Sequence, residues 1–215
     1  TVLSRGLGDV YKRQEFYPQA VVLHNDLATQ YATDPLFYFA RLKQGNLLRS
    51  MNNFVGAQIV YENLINGFPA HEMRYIAELS RADCMLALAG NDSDGLADAV
   101  IILERLLDLP NLPLDFQAEA AQKWAFALIK SGSSEKAKEV LWLSIDRFIG
   151  DGEKAAALGA AGRYWLARSM LQLGEIFEKQ DNLAEARKVY RQVIAYNLPG
   201  RHIAISRVDQ ILEVE

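Results

Sequence analysis

The chain has 215 residues, half of them hydrophobic and 23% charged, a composition that suits a packed globular protein with a substantial core. Its net charge is −4, acids and bases are interspersed, and no basic run appears, which argues against a nucleic-acid partner. No apolar run reaches the length of a bilayer span, and Cys84 alone supplies neither a disulfide framework nor a cysteine cluster for zinc.

In chain order, the first segment is TVLSRGLGDVYKRQ, from Thr1 to Gln14. It carries two glycines, no initiating methionine, no helical periodicity and no apolar core of the signal-peptide kind. It resembles a translated sequencing adapter found at the ends of metagenomic reading frames. On that reading residues 1–14 are non-native, the native protein begins upstream of Glu15, and the chain is a fragment. Without the three bases and one acid of this segment the net charge falls from −4 to −6. Next, AVVLHNDLATQY from Ala20 reads as a helix with Leu23, His24 and Leu27 on one stripe.

Four further segments repeat one pattern. AQIVYENLINGFP, AVIILERLLDLP, AKEVLWLSIDRF and ARKVYRQVIAYNLP begin at Ala57, Ala99, Ala137 and Ala186. Three residues on stand Val60, Ile102, Val140 and Val189. Each is followed at once by Tyr61, Leu103, Leu141 or Tyr190, and three residues later by Leu64, Leu106, Ser144 or Val193. Apolar positions at i, i+3, i+4 and i+7 form one face of an α-helix, with Ser144 the weak member. Twelve residues before each alanine the position is again small: Gly45, Ala87, Ala125 and Gly174. Those positions sit in the helical runs FYFARLKQGNLLRS, ELSRADCMLALAG, EAAQKWAFALIKSG and WLARSMLQLGEIFEKQ. Small residues on both helices of a pair predict a close approach of the two axes. Asn52-Asn53, the stretch from Gly90 to Gly95, Ser131-Gly132-Ser133-Ser134 and Asp181-Asn182 supply turn chemistry between the paired helices. The six prolines fall at proposed helix edges. Arg201 to Leu212 reads as one more helix, suited to capping an open end.

The small residue, the twelve-residue step, the alanine, the aromatic four later and the terminal proline together resemble the tetratricopeptide repeat. The fullest copy is LGEIFEKQDNLAEARKVYRQVIAYNLP, Leu173 to Pro199, and the resemblance covers residues 36–199. It departs from the family in period. Successive alanines lie 42, 38 and 49 residues apart, against a usual period of about 34. The early aromatic of the first helix is mostly missing, with Trp124 and Trp165 placed to fill related space.

The resemblance implies an all-α solenoid of antiparallel helix pairs, wound as a right-handed superhelix of about four and a half repeats. Residues 15–35 would be the second helix of a truncated repeat, residues 36–199 four repeats, and residues 200–215 a capping helix, all in one solenoid domain. It also implies a non-enzymatic scaffold for other proteins or peptides, without a cofactor, from a larger bacterial protein of the cytoplasm or periplasm. The alternatives are a periplasmic or outer-membrane-associated assembly factor, and the docking region of an enzyme whose catalytic domain lies elsewhere. In this family the concave surface is built mainly from the first helix of each pair. By register, the groove residues are Asn46, Arg49, Arg81, Gln122, Phe126, Lys130, Arg168, Glu175 and Glu178. Some family members grip a C-terminal carboxylate with a lysine four residues before an asparagine. Asn46 stands in that asparagine position, but Leu42 replaces the lysine.

The remaining chemistry-bearing residues have simpler readings. His24, His71 and His202 are scattered and form no metal-binding pattern. Cys84 reads as a small buried thiol. The acidic stretch after Gly90 fails as a calcium loop because Gly90 and Ile101 occupy its terminal ligand positions. Glu175 and Glu178 read as two acids on one solvated helical face beside Lys179.

Overall fold

The helix-turn-helix joints are where local sequence most directly dictates the backbone. The computed structural model describes residues 16–30, 36–90 and 92–214, and three joints in it share one geometry. Asn52, Gly132 and Asp181 adopt left-handed φ values of 59°, 82° and 57°. The next residue closes back on the preceding helix: Asn53, Ser133 and Asn182 donate their N–H to the carbonyls of Leu48, Leu128 and Phe177 at 2.9, 2.8 and 2.9 Å. This satisfies carbonyls that a helix end leaves open. Asn53 and Asn182 then cap the following helix, their side chains accepting from the N–H groups of Gly56 and Glu185. Asn-Asn, Ser-Gly-Ser and Asp-Asn are thus three solutions to one turn.

The chain divides into two compact units, the first ending at Gly90 and the second starting at Asn91. In the first, α1 (Tyr17–Gln30) packs on α2 (Phe37–Ser50), α2 on α3 (Phe54–Gly67), and α3 on α4 (Arg74–Ala89), with α2 also touching α4. Its core is Tyr38, Leu42, Ala57, Tyr61, Leu64, Ala77 and Cys84. The second unit contains α5 (Ser93–Leu107), α6 (Leu114–Lys130), α7 (Ser134–Ile149), the short α8 (Gly152–Ala157), α9 (Ala160–Lys179), α10 (Leu183–Ala195) and α11 (Arg201–Val214). Consecutive long helices pack as antiparallel neighbours, and α9 also lies against α6 and α7. Among the described residues the fold is all-α, with no strand. Residues 1–14, read above as non-native, lie outside the described residues.

The wide spacing of the last two alanines has a structural cause. Between Ala137 and Ala186 the chain inserts α8 and then extends α9 to 20 residues. The stripe also shifts locally at its weak member. Ser144 is buried, but its neighbour Ile145 supplies the apolar contact to the core.

Ala57, Ala99, Ala137 and Ala186 are all fully buried. The close approach is sharper than two small residues facing each other. A Cβ on Gly45 would stand 2.5 Å from Cε1 of Tyr61, and one on Gly174 would collide with Cε1 and Cζ of Tyr190. Each glycine therefore receives the face of a buried tyrosine from the following helix. Ala87, expected to play this part in α4, is exposed instead; Cys84, one turn earlier, is buried close to Tyr61. Asp92 caps α5 through the N–H of Asp94.

Candidate partner-binding cleft

Within the first unit, the groove residues expected from sequence are committed to holding helices together. Asn46 Oδ1 accepts a hydrogen bond from the Tyr61 hydroxyl at 2.7 Å, joining α2 to α3. Arg49 on α2 pairs with Asp83 on α4 at 2.6 Å, and Arg81 on α4 pairs with Glu62 on α3 at 3.3 Å. Burial pushes the Tyr61 hydroxyl up to about 12, against the opposing pull of the Arg49 guanidinium. The asparagine of the would-be carboxylate clamp is occupied, and Leu42 is buried in the core. His71 is likewise structural: its ring stacks on Tyr38 at 3.6 Å and its Nδ1 accepts from the N–H of Met73.

The second unit separates its candidates into three groups. Lys130, at the end of α6, lies over the Phe126 ring at 5.5 Å, where the negative helix terminus favours a cation. Glu178 turns toward α11, where its Oε2 meets Arg207 Nη1 at 3.4 Å. The Tyr190 hydroxyl lies close by, and its ionisation is pushed well up, first by burial and then by its hydrogen-bonding approach to the Glu178 carboxylate and that group's charge. That approach is not a well-formed hydrogen bond, and it leaves both Glu178 Oε1 and the Tyr190 oxygen poorly satisfied. Glu175 and Glu178 are therefore split between two environments, a correction to their reading as a solvated pair.

Gln122, Arg168 and Glu175 form the third group and meet in one cleft of about 330 Å³. Tyr164, Arg168, Leu171, Gln172 and Glu175 follow one stripe along α9, so the helical period alone could have found all five. The far wall is the Pro199-Gly200 turn with Ile203 of α11, which depends on how α11 packs and carries no local signal. Gly200 has φ +81°, and a Cβ there would approach Leu171 Cδ1 to 3.1 Å. Gln122 is buried, and its Nε2 donates to Gln172 Oε1 at 3.2 Å across α6 and α9. Arg168 is held by the Tyr164 hydroxyl at 3.1 Å and by the faces of Tyr164 and Trp165, each 5.8 Å away. Glu175 is exposed and makes no ion pair among the described residues.

A second hollow of about 280 Å³ lies along α6 and α7, walled by Trp124, Val140 and Leu143. Trp124 Nε1 is buried there without a partner, and Lys136 Nζ stands 5.5 Å from the indole ring. Sequence reasoning placed Trp124 in packing and did not single out Leu143, which is 71% exposed. No helix among the described residues is long and apolar enough to cross a membrane.

Comparison with known proteins agrees with this geometry. No curated protein sequence matches the chain. Among solved structures it is similar to two crystal structures, one of them of a variant, of nearly identical TPR-like repeats from a Podosopora anserina protein described as a kinesin light chain. One has a TM-score of 0.57 at 16% identity, over 89% of this chain and 91% of that one. The other has a TM-score of 0.56 at 16% identity, over 89% and 92%. At such identity the likeness shows the fold. Residues 168–197, which carry most of the α9 wall of the cleft, match the tetratricopeptide repeat family. The chain is thus built as TPR-like helical repeats, with a tetratricopeptide repeat at residues 168–197.

Proposed function

We propose that this chain is a non-enzymatic scaffold that holds a peptide or partner surface in the cleft between α6, α9 and α11. Helical repeats of this type are generally non-catalytic platforms for protein partners, which supports the general reading. The observation that carries the specific one is the meeting of Gln122, Arg168 and Glu175 in a single open cleft. A concave site with apolar walls and a few fixed polar groups is what a ligand surface needs for affinity and orientation together. Asn46, Arg49, Arg81 and Glu178 contribute by holding the helices in register, through the bonds and ion pairs described above. Phe126 and Lys130 extend the same helix face beyond the cleft.

Site-specific photo-crosslinking tests this placement. A benzophenone amino acid in place of Tyr164, which is 42% exposed, should crosslink to a partner in cells expressing the protein. The same probe in place of Leu143 reports on the α6–α7 hollow. Crosslinking only from position 143 would move the site there.

A further inference from the structure

The cleft has a polarity that narrows what it can hold. Arg168 and Glu175 stand seven residues apart on α9, which at 1.5 Å per residue is about 10 Å along the axis. Arg168 is fixed at one end by Tyr164 and Trp165, while Glu175 marks the other end with an exposed carboxylate. Between them lies the Gln122–Gln172 pair. One amide hydrogen bond joins the two side chains and leaves the Gln122 oxygen and the Gln172 amide nitrogen open. One acceptor and one donor side by side complement the N–H and C=O of a peptide backbone. In an α-helical partner those groups are bonded internally, whereas in a polyproline II segment they are free. Facing the amides are the apolar Leu171 and Ile203, the latter 44% exposed.

From this arrangement, and resting on the scaffold reading above, we infer that the cleft binds a peptide segment in the polyproline II conformation carrying an acidic and a basic side chain three residues apart. Three residues of polyproline II make one full turn of about 9 Å, so the two side chains point to the same side and match the rise between Arg168 and Glu175 along α9. The acidic side chain meets Arg168, the basic one meets Glu175, a backbone amide between them pairs with Gln122 and Gln172, and an intervening apolar side chain lies on Leu171 and Ile203. Because the two ends of the cleft differ in sign, the segment binds in one direction.

The test uses the full chain and capped, fluorescently labelled octapeptides with Asp-Val-Val-Lys, Lys-Val-Val-Asp or the neutral Asn-Val-Val-Gln at their centre. Anisotropy gives affinity, and the side-chain amide signals of Gln122 and Gln172 in nitrogen-15 NMR report occupancy of the cleft. One charged order should bind about five- to tenfold more tightly than the other and than the neutral peptide, a difference erased by high salt. The double reversal Arg168→Glu with Glu175→Arg, both exposed positions, should exchange the preferred order while the circular dichroism is unchanged. If the neutral peptide shifts the two glutamine signals as strongly as the charged ones, the charge pattern is overturned and the groove reading survives. If no peptide shifts them up to millimolar concentration while crosslinking places a partner at position 143, the groove reading itself falls with the inference.

Discussion

The two units contain the same steric device with two different polar finishes. In the first, Tyr61 lies on Gly45, its hydroxyl bonded to Asn46 at 2.7 Å, and Arg49 reaches Asp83 on the next first helix. In the second, Tyr190 lies on Gly174, its hydroxyl buried in a poorly formed contact with Glu178, and Glu178 reaches Arg207 on the next helix. Arg49 and Glu178 both follow their glycine by four residues, so the two ion pairs are equivalent with their signs exchanged. These two repeats share the shape complementarity between glycine and tyrosine, while the charges around it differ. This is what the cost of each error would dictate. A misplaced methyl group in a packed interior costs more than a redistributed surface charge.

The largest expected effect follows from the shared part. Gly45→Ala and Gly174→Ala would each improve intrinsic helix propensity by about 1 kcal/mol. Yet each methyl would enter the volume of a fully buried ring, where overpacking costs about 1–3 kcal/mol. We expect both variants to be destabilised, by about 1–2 kcal/mol in urea melts. Gly67→Ala supplies the contrast, since a Cβ there meets nothing within 4 Å; it should be neutral or stabilising by up to about 1 kcal/mol. If Gly174→Ala behaves like Gly67→Ala, the ring does not pack on the glycine.

The polar finishes should respond in opposite directions. Tyr61→Phe removes a hydroxyl that donates to Asn46, at an expected loss of about 1 kcal/mol. Tyr190→Phe removes a buried hydroxyl whose approach to Glu178 is not a well-formed hydrogen bond. Relieving such a group should leave stability unchanged or raise it by up to about 1 kcal/mol. Equal losses in the two variants would show that Tyr190 is bonded as firmly as Tyr61.

These contrasts mark where the sequence was readable and where it was not. The repeated alanines, the small residues before them and the turn pairs specify helices and their antiparallel pairing, because helical period and left-handed turn residues act locally. In α4 Ala87 is exposed and Cys84 is the buried small residue, because α4 packs on α3, which precedes it, and a step counted forward to Ala99 misses the buried face. The site was legible in one stripe: Arg168 and Glu175 share a face of α9, and Gln122 faces them from α6. What stayed hidden was which charges are already used. Asp83 and Glu62 neutralise Arg49 and Arg81 from neighbouring helices, and no local spacing announces those partners. Ile203 was hidden for the same reason, since only the packing of α11 brings it to the cleft.

The exchanged ion pairs give the smallest effect and the finest test of the comparison. Arg49 and Asp83 approach to 2.6 Å with side chains 34% and 22% exposed, whereas Glu178 and Arg207 approach to 3.4 Å at 23% and 41%. Both lie at the solvent boundary, where a pair contributes about 0.2–1 kcal/mol. Double-mutant cycles with Arg49→Gln and Asp83→Asn, and with Glu178→Gln and Arg207→Gln, should give coupling in that range and more for the shorter pair. Raising the salt from 0.1 M to 1 M shortens the screening length from about 10 Å to about 3 Å, and should shrink both couplings. Restoring each pair with reversed signs, Arg49→Asp with Asp83→Arg or Glu178→Arg with Arg207→Glu, should recover most of the loss if the two sites are electrically interchangeable. Failure of the second swap alone would tie the sign of Glu178 to the buried Tyr190 hydroxyl beside it, and the charges of the two units would then be fixed by their tyrosines rather than free to vary.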